Sequence, residues 1–351
     1  MRKRKRKLPV ILSAGLFLLL FILLIKLYKG YDQEPVYSGN PLFPGWYADP
    51  EIALFDSIYW IFPTFSDEFS KQVFLDAFSS HDLVNWEKHE RIIDTSIIRW
   101  ADSAMWAPCA VLKDGSYYLF FAANDLQTPE SRWFDPSRHP EDMTGGIGVA
   151  VANEPGGPYR DHIGGPLIGE VFNGAQPIDQ YVFRDGDVYY IYYGGWGRCN
   201  IGILNDDFTA LIPFDTGELV KEVTPEGYVE GPFVFRKNGT YYMMWSEGNW
   251  GDETYRVAYG TSGSVTGPFE KQGVILEKDP QIATGAGHHS VLYIPGTDEW
   301  YIIYHRRPVP NEGRDHRVTC IERLRFDENG RILPVKMTFE GVTARTINQI
   351  H

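Results

Sequence analysis

The chain repeats one pattern five times, and this periodicity constrains its fold more than any other feature. Each copy runs through a small or polar cluster, a hydrophobic stretch, a turn and then an aromatic pair that opens a second hydrophobic stretch. The copies read Asp49-Pro50-Glu51-Ile52-Ala53-Leu54-Phe55 then Tyr59-Trp60, and Trp106-Ala107-Pro108-Cys109-Ala110-Val111-Leu112 then Tyr117-Tyr118. The third and fourth are Asp179-Gln180-Tyr181-Val182-Phe183 then Tyr189-Tyr190, and Glu230-Gly231-Pro232-Phe233-Val234-Phe235 then Tyr241-Tyr242. The fifth is His288-His289-Ser290-Val291-Leu292-Tyr293 then Trp300-Tyr301. The pairs start at residues 59, 117, 189, 241 and 300, so the period is about 60 residues, enough for four strands and their loops. Asp114-Gly115, Asp185-Gly186 and Asn238-Gly239 place hairpin turns between the first two strands of their repeats. Third strands follow at Val73–Phe78, Ile147–Ala152, Ile201–Leu204, Tyr255–Gly260 and Thr319–Phe326.

The pattern predicts an all-β chain, a five-bladed β-propeller over residues 31–351 that forms one domain. The 21 Tyr, 21 Phe and 10 Trp, with 35 Gly and 23 Pro, suit short strands joined by many turns. Length alone allows two domains at about 150 residues each, but the repeat assigns the whole of it to one ring.

Ahead of the repeats, Arg2 to Lys7 is a basic block, and Leu8 to Ile25 are eighteen uncharged, mostly apolar residues. At about 1.5 Å rise per residue that stretch nearly spans a bilayer core. No small-x-small cleavage site and no lipid-accepting cysteine follow, so residues 1–30 read as a retained signal anchor, with a cleaved signal peptide as the alternative. The basic flank stays cytoplasmic and the propeller is exported, to the periplasm or outside the cell. Of 33 Lys and Arg, eight lie in residues 1–30, leaving 25 against 46 Asp and Glu. Such an acidic surface repels phosphate backbones, which excludes nucleic acid as a partner. Cys109, Cys199 and Cys320 lack metal-site spacing and read as buried apolar residues.

In a propeller the first strand of each blade lines the central channel, so one offset in every repeat converges on one end of the axis. Counting back from the aromatic pairs gives Asp49 at 10, Trp106 at 11, Asp179 at 10, Glu230 at 11 and His288 at 12. Asp-Pro and Glu-Gly-Pro are ordinary turn openers one at a time. Three mutually repelling acids at equivalent positions need a chemical reason. Hydrolysis of an acetal supplies one: an ionised carboxylate activates water, a protonated one gives its proton to the leaving oxygen, and a third negative charge raises the donor's pKa. Base and acid on different blades leave a gap wide enough for water, which predicts inversion at the sugar carbon.

Trp46-Tyr47-Ala48-Asp49-Pro50-Glu51, Met105-Trp106-Ala107-Pro108, Ile178-Asp179, Glu230-Gly231-Pro232 and Gly285-Ala286-Gly287-His288 together resemble the five blade motifs of glycoside hydrolase family 43. The resemblance implies Asp49 as general base, Glu230 as general acid and Asp179 as the residue that tunes and orients the acid. It implies no required cofactor. It also places His288 on the axis, where the family often holds a calcium ion through water; a histidine facing an axial water is the other occupant, and strand alternation lets only one of His288 and His289 point inward.

Second strands run back toward the catalytic face, which puts Asn124, Trp196, Glu247 and Arg306, the last preferred to Arg307, at the pocket rim beside Trp46 and Trp106. Aromatic faces stack on sugar C–H faces, while Arg and Asn bind hydroxyls. The 72-residue interval between the second and third pairs lays the Asn124–Gly145 loop over the pocket. The expected activity is removal of terminal α-L-arabinofuranosyl or β-D-xylosyl units from plant oligo- or polysaccharide. Endo-arabinanase or galactan-directed action, a sugar phosphorylase and a noncatalytic glycan-binding propeller are the rivals.

Overall fold

Five antiparallel sheets follow one another along the chain, in the computed structural model that describes residues 34–124, 145–311 and 313–347. Blade 1 holds β1 (Tyr47–Phe55), β2 (Ile58–Phe65), β3 (Phe74–Ser80) and β4 (Glu87–Asp94). Blade 2 holds β5 (Trp106–Lys113), β6 (Ser116–Ala123), β7 (Gly146–Ala152) and β8 (Arg160–Asp161). Blade 3 holds β9 (Tyr181–Asp185), β10 (Val188–Tyr193) and β11 (Asn200–Leu204), whose outer edge pairs with both β12 (Leu211–Ile212) and β13 (Val220–Glu222). Blade 4 holds β14 (Glu230–Lys237), β15 (Thr240–Glu247), β16 (Arg256–Ser262) and β17 (Glu270–Leu276). Blade 5 holds β18 (Ala283–Tyr293), β19 (Trp300–Pro308) and β20 (Val318–Leu324). Within each sheet the strands pair in chain order, except that β13 pairs with β11 and not with β12.

The aromatic pairs explain why the repeat closes into a ring. Successive residues of a strand face opposite sides of the sheet. Tyr59 therefore packs in the core between blades 5 and 1, and Trp60 in the core between blades 1 and 2. The same division holds for Tyr117 and Tyr118, Tyr189 and Tyr190, Tyr241 and Tyr242, and Trp300 and Tyr301. Each pair joins its blade to both neighbours, and each large side chain so buried is worth on the order of 1.5–3 kcal/mol. Two-residue turns fall at Asp56-Ser57, Asp114-Gly115 and Asn238-Gly239, each with positive φ at both positions; in blade 3 the turn is Gly186-Asp187, one residue later than expected.

Blade 5 is completed by residues outside its own three strands. The Asn40 side chain accepts from the Ile321 amide at 2.8 Å and donates to the Ile321 carbonyl at 3.0 Å, as a neighbouring peptide group would. Residues 38–40 in turn pair with 339–342 through Ser38, Gly39 and Asn40 amides. The ring thus closes where its first and last segments meet.

No helix among the described residues is long and apolar enough to cross a membrane, and the anchor expected over residues 8–25 lies outside them. Most of the Asn124–Gly145 loop expected over the pocket, residues 125–144, also lies outside them.

Candidate active site

The channel-facing strands share a backbone device at one end of the axis. Asp49, Ala107, Asp179, Gly231 and His288 take φ of 47, 44, 55, 63 and 26°. In β1, β5, β14 and β18 the pairing register shifts at this point, and in blade 3 the strand begins two residues later. These bulges explain the uneven offsets read from the sequence, because the residue before the left-handed position, Trp106 or Glu230, also reaches the channel mouth. Left-handed backbone at a residue with a side chain costs on the order of 1–3 kcal/mol, and bulges next to active sites commonly re-aim side chains.

Asp49, Asp179, Glu230 and His288 line a cavity of about 270 Å³ together with Trp106, Trp196, Phe69, Trp250, Gln176 and Arg317. That volume is slightly below the usual small-molecule pocket, and suits one sugar ring with part of its neighbour.

Asp49 sits among nitrogen atoms. Arg317 Nη1 lies 3.4 Å from its Oδ1, His305 Nδ1 3.2 Å and His288 Nδ1 3.5 Å. Burial works against its charge, but Arg317, His288 and His305 outweigh burial and hold the carboxyl well below the usual carboxylate range. Burial pushes His305 down to about 3 and also lowers His288, which leaves Arg317 as the permanent positive charge in contact with Asp49.

Glu230 has a different environment. The Tyr255 hydroxyl donates to its Oε1 at 2.9 Å, and Val229 and Ile178 lie alongside in the cavity wall. Burial pushes Glu230 up to about 7, Asp49 adds to the rise, and Tyr255 and Arg317 oppose it. Asp179 is raised well above its ordinary value by burial and by the charges of Glu230 and Asp49. Because Asp179 and Glu230 repel each other, the pair keeps a proton into the neutral range.

Two glycines of Gly285-Ala286-Gly287 make this packing possible. A Cβ at Gly287 would come within 2.1 Å of the Tyr255 ring, and one at Gly285, where φ is 56°, within 2.1 Å of Arg307 Nη1. Arg307 is fully buried and donates to the carbonyls of Arg314 at 2.7 Å, Asp252 at 3.4 Å and Trp250. It thereby ties together the two loops that present Trp250 and Arg317 to the cavity.

Of the residues expected to bind substrate, Trp106 and Trp196 line the cavity, Trp196 being 44% exposed. Trp106 is held by a hydrogen bond from its indole to Gln72 and by edge contact with Phe69 at 4.9 Å. The other four do not line it. Trp46 stacks on the His316 ring at 4.4 Å, outside the cavity lining. Asn124 accepts from the Asp102 amide at 2.7 Å and donates to the Trp100 carbonyl at 2.5 Å, fixing a loop. Glu247 is buried and paired with Arg256 at 2.9 Å and Lys271 at 2.5 Å. Arg306 is buried against the Tyr304 hydroxyl and the Asn40 carbonyl. Residues near the end of a second strand can be satisfied by adjacent strands and loops as readily as they reach the mouth, as Glu247 and Arg306 are.

His288, expected on the axis, lines the same cavity as the carboxylates. Its Nδ1 lies 3.5 Å from both Asp49 and Asp179, which engages it with two of the three carboxylates, while both ring nitrogens of His289 lack a hydrogen-bond partner. Among the described residues no group of three or more His, Cys, Asp or Glu is arranged to hold a metal ion. Arg317, Phe69, Trp250, Gln176, His305 and Tyr255 were not singled out from the sequence. Phe69 and Trp250 lie on loops between second and third strands, Arg317 just ahead of a third strand, and none shares an offset across repeats.

The sequence profile of glycosyl hydrolases family 43 matches residues 38–332. A β-D-galactofuranosidase of Aspergillus niger is 42% identical over 89% of this chain and 88% of its own length. A xylosidase/arabinosidase of Bacteroides ovatus is 28% identical over 84% of this chain and 97% of its own. Among solved structures, a β-xylosidase/α-arabinofuranosidase from a compost microbial metagenome, in a calcium-free complex with xylotriose, superposes with a TM-score of 0.67 at 25% identity, covering 86% of this chain and 98% of that one.

Proposed function

The chain belongs to glycosyl hydrolases family 43 and is a glycosidase, and on that premise we propose that Asp49, Glu230 and Asp179 carry out an inverting hydrolysis of terminal sugar units. The observation that carries this reading is the opposite tuning of two buried carboxyls in one cavity: Asp49 stays ionised and Glu230 holds its proton up to about 7. Asp49 takes a proton from water as the water's oxygen attacks the anomeric carbon. Glu230 gives its proton to the departing glycosidic oxygen. Asp179 shares with Glu230 the proton that their mutual repulsion retains and, with Arg317 and His288, fixes the carboxyls around the sugar.

The substrate class is a non-reducing-end α-L-arabinofuranosyl or β-D-xylosyl unit of plant oligo- or polysaccharide, supported by the xylosidase/arabinosidase relatives and by a cavity sized for one ring. A second reading, release of β-D-galactofuranose, is favoured by the 42% identical relative. Aryl α-L-arabinofuranosides, β-D-xylosides and β-D-galactofuranosides, followed by NMR of the first-formed anomer, test both. One of the three is expected to be cleaved with inversion; retention overturns the mechanism, and the preferred sugar decides between the readings.

The proposal extends to location. The basic block Arg2–Lys7 and the apolar residues 8–25 support export of the propeller on a retained membrane anchor. Activity is expected in the membrane fraction of cells expressing the full chain; release of all activity into the soluble fraction contradicts a retained anchor.

A further inference from the structure

Behind the three carboxylates the channel narrows to an axial cavity of about 20 Å³, enclosed by Glu51, Cys109, Gln180, Phe233 and His289. About 10–15 Å³ is needed to hold one water, so there is room for one molecule and not for a second. The walls are polar and incompletely satisfied. Both His289 nitrogens and Gln180 Oε1 have no hydrogen-bond partner, although each residue is only 3% exposed. The Gln180 amide nitrogen donates to the carbonyls of Ala107 at 2.5 Å and Phe120 at 3.0 Å, which fixes which end of the amide is left over. Glu51 Oε2 accepts from the Ala110 amide at 2.7 Å, and its Oε1 lies 3.4 Å from Cys109 Sγ.

A calcium ion does not fit this donor set. It takes six to eight oxygens at about 2.3–2.6 Å, whereas the wall offers Gln180 Oε1, the Glu51 carboxyl and an imidazole, and Asp49 and Asp179 at its edge are engaged with Arg317 and His288. No three acidic, His or Cys side chains among the described residues are gathered to hold an ion, and the cavity cannot admit the waters that would complete a coordination shell.

We propose that the axis of this propeller is a binding site for a single water molecule, held by His289, Gln180 and Glu51, in the place where a cation would otherwise lie behind the catalytic carboxylates. The water donates to Gln180 Oε1 and exchanges the remaining hydrogen bonds with the imidazole and the carboxyl. Burial pushes Glu51 up to about 8, which makes it a hydrogen-bond donor at neutral pH. The axis then contributes no positive charge to the pocket, and stabilisation of ionised Asp49 falls to Arg317. This site does not depend on which sugar is cleaved.

The test uses the purified full chain, desalted, with calorimetry in EDTA and in millimolar calcium chloride, metal analysis, and a high-resolution crystal structure. Equal melting temperatures, no stoichiometric metal, and one axial density at hydrogen-bond distance of about 2.7–3.2 Å from His289, Gln180 and Glu51 are expected. Glu51→Gln, uncharged and of similar shape, should melt like the parent, whereas Glu51→Leu should melt lower. Calcium-dependent melting, bound calcium ringed by oxygens, or a dry axis overturns the proposal. So does a Glu51→Gln variant that melts as low as Glu51→Leu. Loss of the inverting mechanism would leave all of these readouts unchanged.

Discussion

The two sides of the pocket treat a carboxyl group in opposite ways. On one side Asp49, from blade 1, meets Arg317, His305 and His288, all from blade 5. On the other, Glu230, from blade 4, meets one phenol and apolar wall residues. Both groups are buried, and burial alone would raise both. What separates them is the placement of one guanidinium against Asp49, on a blade 5 loop that Arg307 ties to the Trp250 loop of blade 4. Proton affinity at this site is therefore set by the neighbouring blade's loop, and not by where the carboxylate-bearing strands begin.

The largest test of that contrast is by leaving group. Glu230→Gln should lose about 10²–10⁴-fold in kcat on unactivated oligosaccharides and far less on an activated dinitrophenyl glycoside, whose leaving oxygen needs no proton. Asp49→Asn should lose a comparable factor on both substrates, because water activation is required whatever departs. Equal losses for the two variants across leaving groups would remove the division of roles.

Smaller effects belong to the pH profile. Glu230 works protonated, so activity should fall above about pH 7, while Asp49 works ionised, so the acid limb should lie below the usual carboxylate pKa of about 3.9. Arg317→Met takes away a lowering influence from both groups, so both limbs should move upward, the acid limb more, with kcat reduced. Tyr255→Phe removes a hydrogen bond that lowers Glu230 alone, so the alkaline limb should move upward and the acid limb should stay. Rate measurements from acid to alkaline pH with a stable aryl glycoside check both, and a downward alkaline shift in Tyr255→Phe would show that the phenol does not stabilise the ionised form.

The ring was legible because an aromatic pair is written once per repeat, and the three acids because they stand at nearly one offset in three of the five repeats. Hairpin turns, aromatic pairs and blade-start acids recur at nearly fixed spacing, and spacing is what a sequence displays directly. The bulges were not legible: Asp49 and His288 sit at left-handed positions themselves, while Trp106 and Glu230 stand one residue before them. The surrounding wall was not legible either. Arg317, Trp250 and Phe69 come from the equivalent second-to-third-strand loops of three blades, but at no common offset and with no common residue type, so nothing along the chain announces that they meet. Glu247 and Arg306 were misplaced for a related reason, since a charged residue near a strand end can be satisfied by a neighbouring strand, as Lys271 and Arg256 satisfy Glu247.

The seam between blades 5 and 1 joins residues far apart in the chain: Asn40 docks on Ile321, and Asp49 is bonded to His305 and Arg317. A nascent chain therefore carries Asp49 through the synthesis of four more blades before its partners exist. Until then the carboxylate has no guanidinium beside it, and the cavity has no far wall. Contacts of such long sequence separation are slow to form, and here they form last. Closure of the ring and assembly of the pocket are thus a single event, so a chain that lacks its fifth blade has no complete site with which to cleave a glycan.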